Sequence, residues 1–233
     1  MRYVVLDTET TGLEPTKGHR VIEIGLVEIV HRRRTGAHFH QYLNPDRDSD
    51  PGALQKHGLT TEFLSDKPRF AEVVDPFLEF VQGAQLVIHN AAFDLGFLDH
   101  ELRQIGREPL SRLCPQVTDT LTMARELHPG KRNTLDALCE RYGVDNSRRT
   151  FHGALLDAEL LGDVYLAMTR GQETLLVETA TATAAESRQM VHRSSKPLVV
   201  RYATLEELDS HLAQLEKIDQ ASKGRCLWKR SVS

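Results

Sequence analysis

Two acidic side chains stand close together at the end of the first apolar run of the sequence. Asp7 and Glu9 follow "YVVL" in the stretch "VVLDTETTG". Residues two apart in a β-strand point to the same face, so these carboxylates would lie side by side. Two unit charges about 4 Å apart repel by about 4 kcal/mol at an effective dielectric constant near 20, so a buried pair requires a proton or a cation. The alternative is a solvated turn through "TTG", and further carboxylates near the pair would decide against it.

Three later residues are candidates to join this pair. Asp94 lies one turn into a predicted helix after the strand "QLVIH", near the carboxyl end of a strand, where α/β proteins build sites. His152 precedes Asp157 by five residues. If both residues were helical, their side chains would point in directions about 140° apart around the helix axis. We therefore expect His152 before that helix or in its first turn, free to face the acids. Taken singly, the alternatives are a helix cap or surface charge for Asp94 and a structural role for His152.

The ordered motifs "DTE", "HNAAFD" and "HGALLD" together resemble the DEDD superfamily of 3'–5' exonucleases. The resemblance is to the branch in which a histidine stands five residues before the last aspartate. It extends to "VIEIG", "SDPGALQKHGLT", the stretch from "GKRNTLDALC" to "VYLAMT", and "CLW", which are similar to segments of proofreading subunits of bacterial replicative polymerases. An isolated "DxE" is a weak motif, but the ordered set of five residues is specific.

The resemblance implies a metal-dependent phosphodiesterase. Cleavage of a phosphodiester requires an activated water and charge compensation on the entering and leaving oxygens, which two divalent cations provide. Hard oxygen ligands select Mg²⁺ or Mn²⁺, and four carboxylates balance two dications. By resemblance, Asp7 bridges both ions, Glu9 and Asp157 hold the ion with the nucleophilic water, and Asp94 supports the second. His152 is the implied general base, and the product is a nucleoside 5'-monophosphate.

The resemblance also implies the residues that contact the terminal nucleotide. Glu9, Thr10 and His57 correspond to positions that line the cleft for the 3' end. For the basic runs "HRRR", "GKR" and "SRR", the alternatives are phosphate contact and a solvated surface. Phe93 and Phe151 would stack on a base or pack in the core. The remaining acids near the motifs are predicted to be caps or supporting groups rather than ligands: Asp119, Asp136 and Asp163.

Composition limits the fold to one full core with an appendage. The chain has 233 residues, of which 40% are hydrophobic, and a net charge of -4, so any nucleic-acid binding must be local. No stretch approaches 18 uncharged apolar residues, which predicts neither a signal peptide nor a membrane span and favours a cytoplasmic protein without membrane contact. The three cysteines are far apart and predict reduced, structural thiols.

Strand signals followed by alternating strand and helix signals predict an α/β domain with a mixed sheet covered by helices. The resemblance implies the ribonuclease H-like version with five strands. Pro76 is expected to bend or end the predicted helix 70–81. The predicted strands are 3–6, 21–30, 37–43, 85–89 and 116–120, the first three as an antiparallel meander. The predicted helices begin near Asp50 and also cover 70–81, 91–105, 121–128, 135–142 and 153–168.

The C-terminal part is predicted to bind partners. We divide the chain into an exonuclease domain (1–171), a clamp motif with a flexible linker (172–196) and a polymerase-binding segment (197–233). "QETLLV" resembles a weak sliding-clamp motif with Gln172, Leu175 and Val177 as anchors. A capping box at Thr204 and Glu207 predicts a helix. Its apolar stripe, together with Leu227 and Trp228, would by resemblance bind the alpha subunit of DNA polymerase III, and a small accessory subunit is a further candidate partner.

The predicted function is proofreading. The enzyme would hydrolyse the 3'-terminal phosphodiester of single-stranded or frayed DNA as a subunit of a replicative polymerase. One alternative is an RNA-trimming exoribonuclease of the same superfamily, against which the linker and tail argue. The other is a non-catalytic polymerase scaffold, against which the intact set of five residues argues.

Overall fold

A computed structural model describes residues 1–170, 203–222, 226 and 228. The chain divides into two units, Met1–Thr183 and Ala184–Ser233, and each is described by itself. None of the helices in these described ranges is long and apolar enough to cross a membrane.

One mixed sheet organises the first unit. Its strand order is β3-β2-β1-β4-β5. The central strand β1 is antiparallel to β2 and parallel to β4; β3 is antiparallel to β2, and β5 is parallel to β4. The strands span Arg2–Thr10 (β1), Val21–Val30 (β2), Arg33–Tyr42 (β3), Gln85–Ile88 (β4) and Val117–Asp119 (β5). The predicted meander and the five-stranded mixed sheet are confirmed.

Helices cover both faces of this sheet. Those that the sequence predicted are present, whereas α2 and α5 were missed because four residues are too few to show an apolar period. In the first unit the helices span Pro51–His57 (α1), Thr61–Leu64 (α2), Phe70–Val81 (α3), Ala91–Gln104 (α4), Leu110–Leu113 (α5), Thr120–Leu127 (α6), Leu135–Tyr142 (α7) and Ala154–Met168 (α8).

Successive side chains of β1 point to opposite faces of the sheet, and a hydrophobic cluster lies on each face. Val4 and Leu6 pack with the buried residues of α3 and α4, whereas Val5 packs on the other face with those of α7 and α8. Continuing the same alternation, Asp7 and Glu9 point to the α8 face, so both acids lie under α8 in the middle of the sheet.

α3 runs through Pro76 without a helix boundary. The predicted boundary is therefore wrong, and the bend remains a prediction. Proline cannot donate a hydrogen bond to the carbonyl four residues earlier, which belongs to Glu72. Both Pro76 and Glu72 are exposed, so water can satisfy that carbonyl. The buried face of the helix, which includes Val73, Val74 and Phe77, holds it to the core.

Gly25 allows α8 to lie directly on the sheet. Gly25 pairs with Asp7 across the β1–β2 ladder. A Cβ atom at Gly25 would lie 2.2 Å from the carbonyl carbon of Ala154, the first residue of α8. Because glycine has no Cβ, the first turn of α8 lies against β2 and places Asp157 beside the acids of β1.

The second unit contains one described helix, Leu205–Ala221 (α9). The predicted capping box is confirmed: Thr204 Oγ1 accepts a hydrogen bond from Glu207 N at 3.3 Å, and Glu207 Oε2 accepts one from Thr204 N at 2.8 Å. Trp228 is 75% exposed and Cys226 is buried. The linker lies outside the described residues, as do Gln172, Leu175, Val177 and Leu227. The domain boundaries remain predictions.

Candidate metal centre

One cavity of about 1070 Å³ collects all five residues that the motifs singled out. β1 supplies Asp7 and Glu9, α4 supplies Asp94, α8 supplies Asp157, and the loop before α8 supplies His152. As predicted, His152 precedes the helix that carries Asp157. The convergence excludes a solvated turn as the whole explanation of Asp7 and Glu9.

Three of these residues present ligand atoms to a common point. One ligand atom each from Glu9, His152 and Asp157 lies within 4.8 Å of the others. Asp94 is tied to the same place from the other face of the sheet, because its Oδ1 accepts hydrogen bonds from Thr8 N at 3.1 Å and Thr8 Oγ1 at 2.7 Å. Asp94 and Asp157 are both only 3% exposed.

Burial raises the pKa values of Asp7, Glu9 and Asp94, and repulsion from neighbouring acids adds to the effect. Burial, followed by repulsion from Asp94, Glu9 and Asp157, holds the pKa of Asp7 well above its usual range. Burial and the charges of Asp157, Glu23 and Asp94 raise the pKa of Glu9 to about 8. Burial raises the pKa of Asp94 to about 7, against the hydrogen bonds that Thr8 donates. The negative charges of these buried side chains are therefore not fully balanced by positive charges of the protein.

This donor set fits a divalent cation. Carboxylate oxygens are the ligands that Mg²⁺ and Mn²⁺ prefer, and a cation among them would compensate the buried charges of Asp7, Glu9 and Asp94, whose pKa values are raised. Such shifts concentrate at functional sites. The site therefore has both the ligand chemistry and the charge imbalance that a metal would satisfy.

Arg149 is a site residue that the sequence did not identify. Its guanidinium donates two hydrogen bonds to the carboxylate of Asp157, at 2.7 and 2.6 Å, and one to Asp136 at 2.7 Å. The side chain is only 7% exposed. The basic run "SRR" was visible, but a run of charges gives no sign that one of its members is buried.

Arg149 also determines the state of His152. Arg149 Nη2 lies 3.0 Å from His152 Nδ1. A guanidinium can only donate, so Nδ1 accepts and the ring proton is on Nε2 in the neutral form. Burial and the charge of Arg149 lower the pKa of His152. The backbone N–H of His152 donates to the carbonyl of Lys56 at 3.0 Å, which joins this loop to α1.

Glu23 is a second residue that the sequence did not identify. It pairs directly with Glu9 across the β1–β2 ladder, is 2% exposed and lies 2.7 Å from His40 Nε2 on β3. Directly opposite residues in an antiparallel pair point to the same face. Glu23 therefore adds to the repulsion on Glu9. Only the pairing of Glu23 with Glu9 could have identified Glu23, and that pairing depends on the register of β1 and β2, which the local sequence does not show.

His57 and Thr10 line the cavity beside the acids. His57 Nδ1 accepts a hydrogen bond from Leu59 N at 2.9 Å, which leaves the proton of the neutral ring on Nε2. Nε2 is buried and has no hydrogen-bond partner among the described residues. Thr10 Oγ1 donates to the carbonyl of Gly12 at 2.7 Å, so its proton holds the turn after β1.

The other candidates occupy ordinary positions. Asp119 caps α6 by accepting hydrogen bonds from Leu121 N and Thr122 N, as predicted. Asp136 supports Arg149, and Asp163 lies 3.7 Å from Arg34 on the surface. Phe93 lines the cavity while contacting Phe97, and Phe151 is 56% exposed.

Comparison with known proteins places this geometry in a family. The exonuclease family (RNase_T) matches residues 4–165. The DNA polymerase III subunit epsilon of Escherichia coli is 51% identical over 98% of this chain and 97% of its own length. The protein of the same name from Haemophilus influenzae is 47% identical over 97% of this chain and 94% of its own length.

Solved structures share the fold at low identity. Exonuclease X in complex with 5' overhanging duplex DNA has a TM-score of 0.55 and 23% identity, over 73% of this chain and 93% of its own. Escherichia coli Exonuclease I in complex with a dT13 oligonucleotide has a TM-score of 0.63 and 18% identity, over 77% of this chain and 43% of its own. These structures support the ribonuclease H-like sheet and its covering helices.

Proposed function

The chain belongs to the exonuclease family and, within it, to the epsilon subunits of DNA polymerase III, and we propose that it cleaves DNA at the cavity described above. It is a 3'–5' exonuclease that proofreads DNA synthesis. The observation that carries the choice of site is the convergence of four carboxylates and a histidine from four separate segments on one cavity.

Asp7, Glu9, Asp94 and Asp157 would hold two divalent cations, Mg²⁺ or Mn²⁺. When bound, the cations supply a water of lowered pKa and compensate charge on the scissile phosphate. The protein's part is to fix the four carboxylates: Thr8 holds Asp94, and Arg149 holds Asp157.

His152 would act as the general base. A base must have a free lone pair, and Nδ1 accepts a hydrogen bond from Arg149. Proton uptake at Nδ1 therefore requires Arg149 Nη2 to withdraw. Uptake at Nε2 requires the same withdrawal, because the ring proton must first move to Nδ1. His152 lies in a loop that contacts α1, so a substrate on α1 could bring about this change.

His57 would bind the terminal nucleotide. Its buried Nε2–H is a donor without a partner in the described part of the chain, and it lies in the wall of the cavity. A buried donor left unpaired costs about 1–3 kcal/mol, which a nucleotide oxygen would recover. Glu9 and Thr10, which line the same wall, complete the proposed substrate contacts.

A nuclease assay on the full-length protein tests the site. With Mg²⁺, the wild type should release 5'-monophosphates from 3'-mispaired DNA, and Asp7→Asn should lower the rate by about 10²–10³-fold. Asp163→Asn, which removes a carboxylate of α8 outside the cavity, is the control and should retain the rate. Equal loss in both variants would overturn the assignment. Faster cleavage of RNA than of DNA would favour the RNA-trimming alternative, and no cleavage by the wild type would favour the scaffold.

The C-terminal unit would bind the polymerase. α9 exposes an apolar stripe that includes Leu205, Leu208 and Leu212, which are 81, 46 and 58% exposed. Such a stripe on a helix is typical of a segment that docks in a partner's groove. By relationship to the epsilon subunits, the proposed partner is the polymerase alpha subunit. Binding of the sliding clamp through Gln172, Leu175 and Val177, and of a small accessory subunit, are further parts of the proposal.

A further inference from the structure

The cavity is larger than one terminal nucleotide requires. Pockets that enclose small-molecule ligands, such as one nucleotide, have volumes of roughly 300–1,000 Å³. The cavity here measures about 1070 Å³, and a second groove of about 730 Å³ continues from it. Both are lined by Arg132 and Asp136. The surface can therefore hold more of a strand than the residue being removed.

Three cationic side chains line one side of this surface. Arg125 belongs to α6, and Lys131 and Arg132 to the loop that follows it. All three are exposed, and none forms an ion pair with a carboxylate of the described residues. Arg149, in contrast, is bound to Asp157 and Asp136. These three charges are thus available to an anion from outside the protein.

The fold places these cations opposite the proposed terminal-nucleotide wall. α1, which carries His57, follows the edge strand β3, whereas α6 follows the edge strand β5. The carboxylates of β1 lie between them, because β1 is the central strand. The cavity therefore crosses the end of the sheet from α1, past the acids, to α6.

We propose that Arg125, Lys131 and Arg132 form a phosphate tract that binds the single strand upstream of the scissile bond. The proposal rests on the proposed function, and it fixes the direction of the strand: the 3' end lies against α1, and the 5' portion leaves past α6 and the loop between α6 and α7. The chain carries a net charge of -4 and gathers its acids in the same cavity, so a polyanion requires local cations to enter.

Two substrates distinguish binding of the upstream strand by this tract from hydrolysis of the phosphodiester. The p-nitrophenyl ester of thymidine 5'-monophosphate has a phosphodiester and no upstream nucleotide, whereas a single-stranded DNA decamer has both. In the variant Arg125→Gln/Lys131→Gln/Arg132→Gln, kcat/KM for the decamer should fall at least tenfold more than kcat/KM for the ester. The slope of log kcat/KM for the decamer against log salt should flatten by about 2, since each single-strand phosphate contact contributes about 0.7.

A charge-matched control removes three cations that do not line the cavity, and it should leave both substrates unchanged. Equal loss for ester and decamer, or no loss for either, would overturn the tract. If the wild type cleaves neither substrate, the proposed function fails, and fluorescence anisotropy of the labelled decamer then decides. A tenfold weaker affinity in the triple variant supports the tract, and an unchanged affinity refutes it. The control variant is Arg33→Gln/Arg103→Gln/Arg112→Gln.

Discussion

At the scale of single residues, Arg149 links a proposed metal ligand, Asp157, to the proposed general base, His152. Its Nε and Nη2 donate to the two oxygens of Asp157, and the same Nη2 also lies 3.0 Å from His152 Nδ1. Asp157 is buried, and without this partner it would be a charge in a poorly solvated place. Arg149 and a cation would therefore compensate the same carboxylate.

Arg149→Gln should destabilise the protein in a chelating buffer. Removal of one partner of a buried ion pair costs about 3–5 kcal/mol in the free energy of unfolding. Added Mn²⁺ should recover more stability in the variant than in the wild type, because the cation no longer competes with a guanidinium for Asp157. Denaturant unfolding with and without Mn²⁺ measures both effects. Arg149→Lys, which keeps the charge, is the control, and an equal response of all three proteins to Mn²⁺ would contradict the prediction.

The acids should make stability in a chelating buffer fall as pH rises. Glu9 and Asp94 have raised pKa values of about 8 and about 7, so the folded protein binds more protons than the unfolded chain above about pH 4.5. Stability then decreases with pH through these values. The lowered pKa of His152 acts oppositely below about pH 6.5. We expect Tm to fall between pH 6.5 and 8 with EDTA and to stay level with saturating Mg²⁺; a Tm that rises with pH in EDTA would show the acids to be compensated already.

The rate should persist below the usual pKa of histidine. Burial and Arg149 lower the pKa of His152, so its neutral, proton-accepting form survives below pH 6.5. As the pH is lowered at saturating Mg²⁺, kcat is therefore expected to begin to fall only below pH 6.5. His152→Gln should lower kcat and remove this fall. An identical fall in that variant would assign the titration to another group.

The sequence predicted the five motif residues because their types and spacings are characteristic. Arg149 and Glu23 carry no such signal, since a charge next to a motif resembles any surface charge. Their roles depend on burial and on the pairing of Glu23 with Glu9 across two strands. Register is fixed by the whole sheet rather than by the local sequence.

At the scale of elements, the contact of α8 with β2 determines whether the site forms. Gly25→Ala would place a methyl group 2.2 Å from the backbone of Ala154, so α8 must move. Overpacking of this kind costs about 1–3 kcal/mol, and a displacement of about 1 Å at a site costs about 10²-fold in rate. Unfolding and kcat measurements should show both losses.

Gly162→Ala is the matched control on α8. Its added Cβ would lie 3.5 Å from Ile29 Cδ1, an ordinary contact, and alanine favours a helix over glycine. This variant should keep its rate and its stability. Loss of rate in Gly162→Ala to the same extent as in Gly25→Ala would show that α8 tolerates no added methyl group, rather than that Gly25 is required for close approach.

Elements were predictable where the apolar pattern was long. The start of β3 was not: it begins at Arg33 rather than at residue 37, because its first half is polar and exposed on the sheet edge. The hairpin before it turns through His31 and Arg32 with positive φ angles of 49° and 60°. The pair His-Arg does not predict a hairpin turn from the sequence, whereas Asn-Gly does.

At the scale of the whole molecule, the exposed stripe of α9 should govern assembly. Leu208→Glu/Leu212→Glu in the full-length chain should weaken binding to the polymerase alpha subunit by at least about tenfold, since buried apolar anchors dominate helix-in-groove interfaces. Ser210→Glu/Gln214→Glu adds the same charge to the other side of the helix and should bind normally. Titration calorimetry measures both, and unchanged binding of the leucine variant would remove α9 from the interface.

The helix of the second unit was predictable from the sequence, whereas its role in binding a partner remains a prediction. Apolar periodicity identified α9 and its stripe, because the pattern belongs to one helix. The surface that covers such a stripe belongs to another molecule and leaves no pattern in this chain. The boundaries of the linker depend on composition alone and remain predictions.

The pairing of β1 with β4 has a consequence for synthesis on the ribosome. β1 precedes the other described strands, yet one of its two neighbours is β4, and its acids are joined by Asp157 only in α8. Loop closure over such a separation makes this pairing late in folding. We therefore expect a nascent chain that has not yet released α8 to have no assembled centre and no nuclease activity.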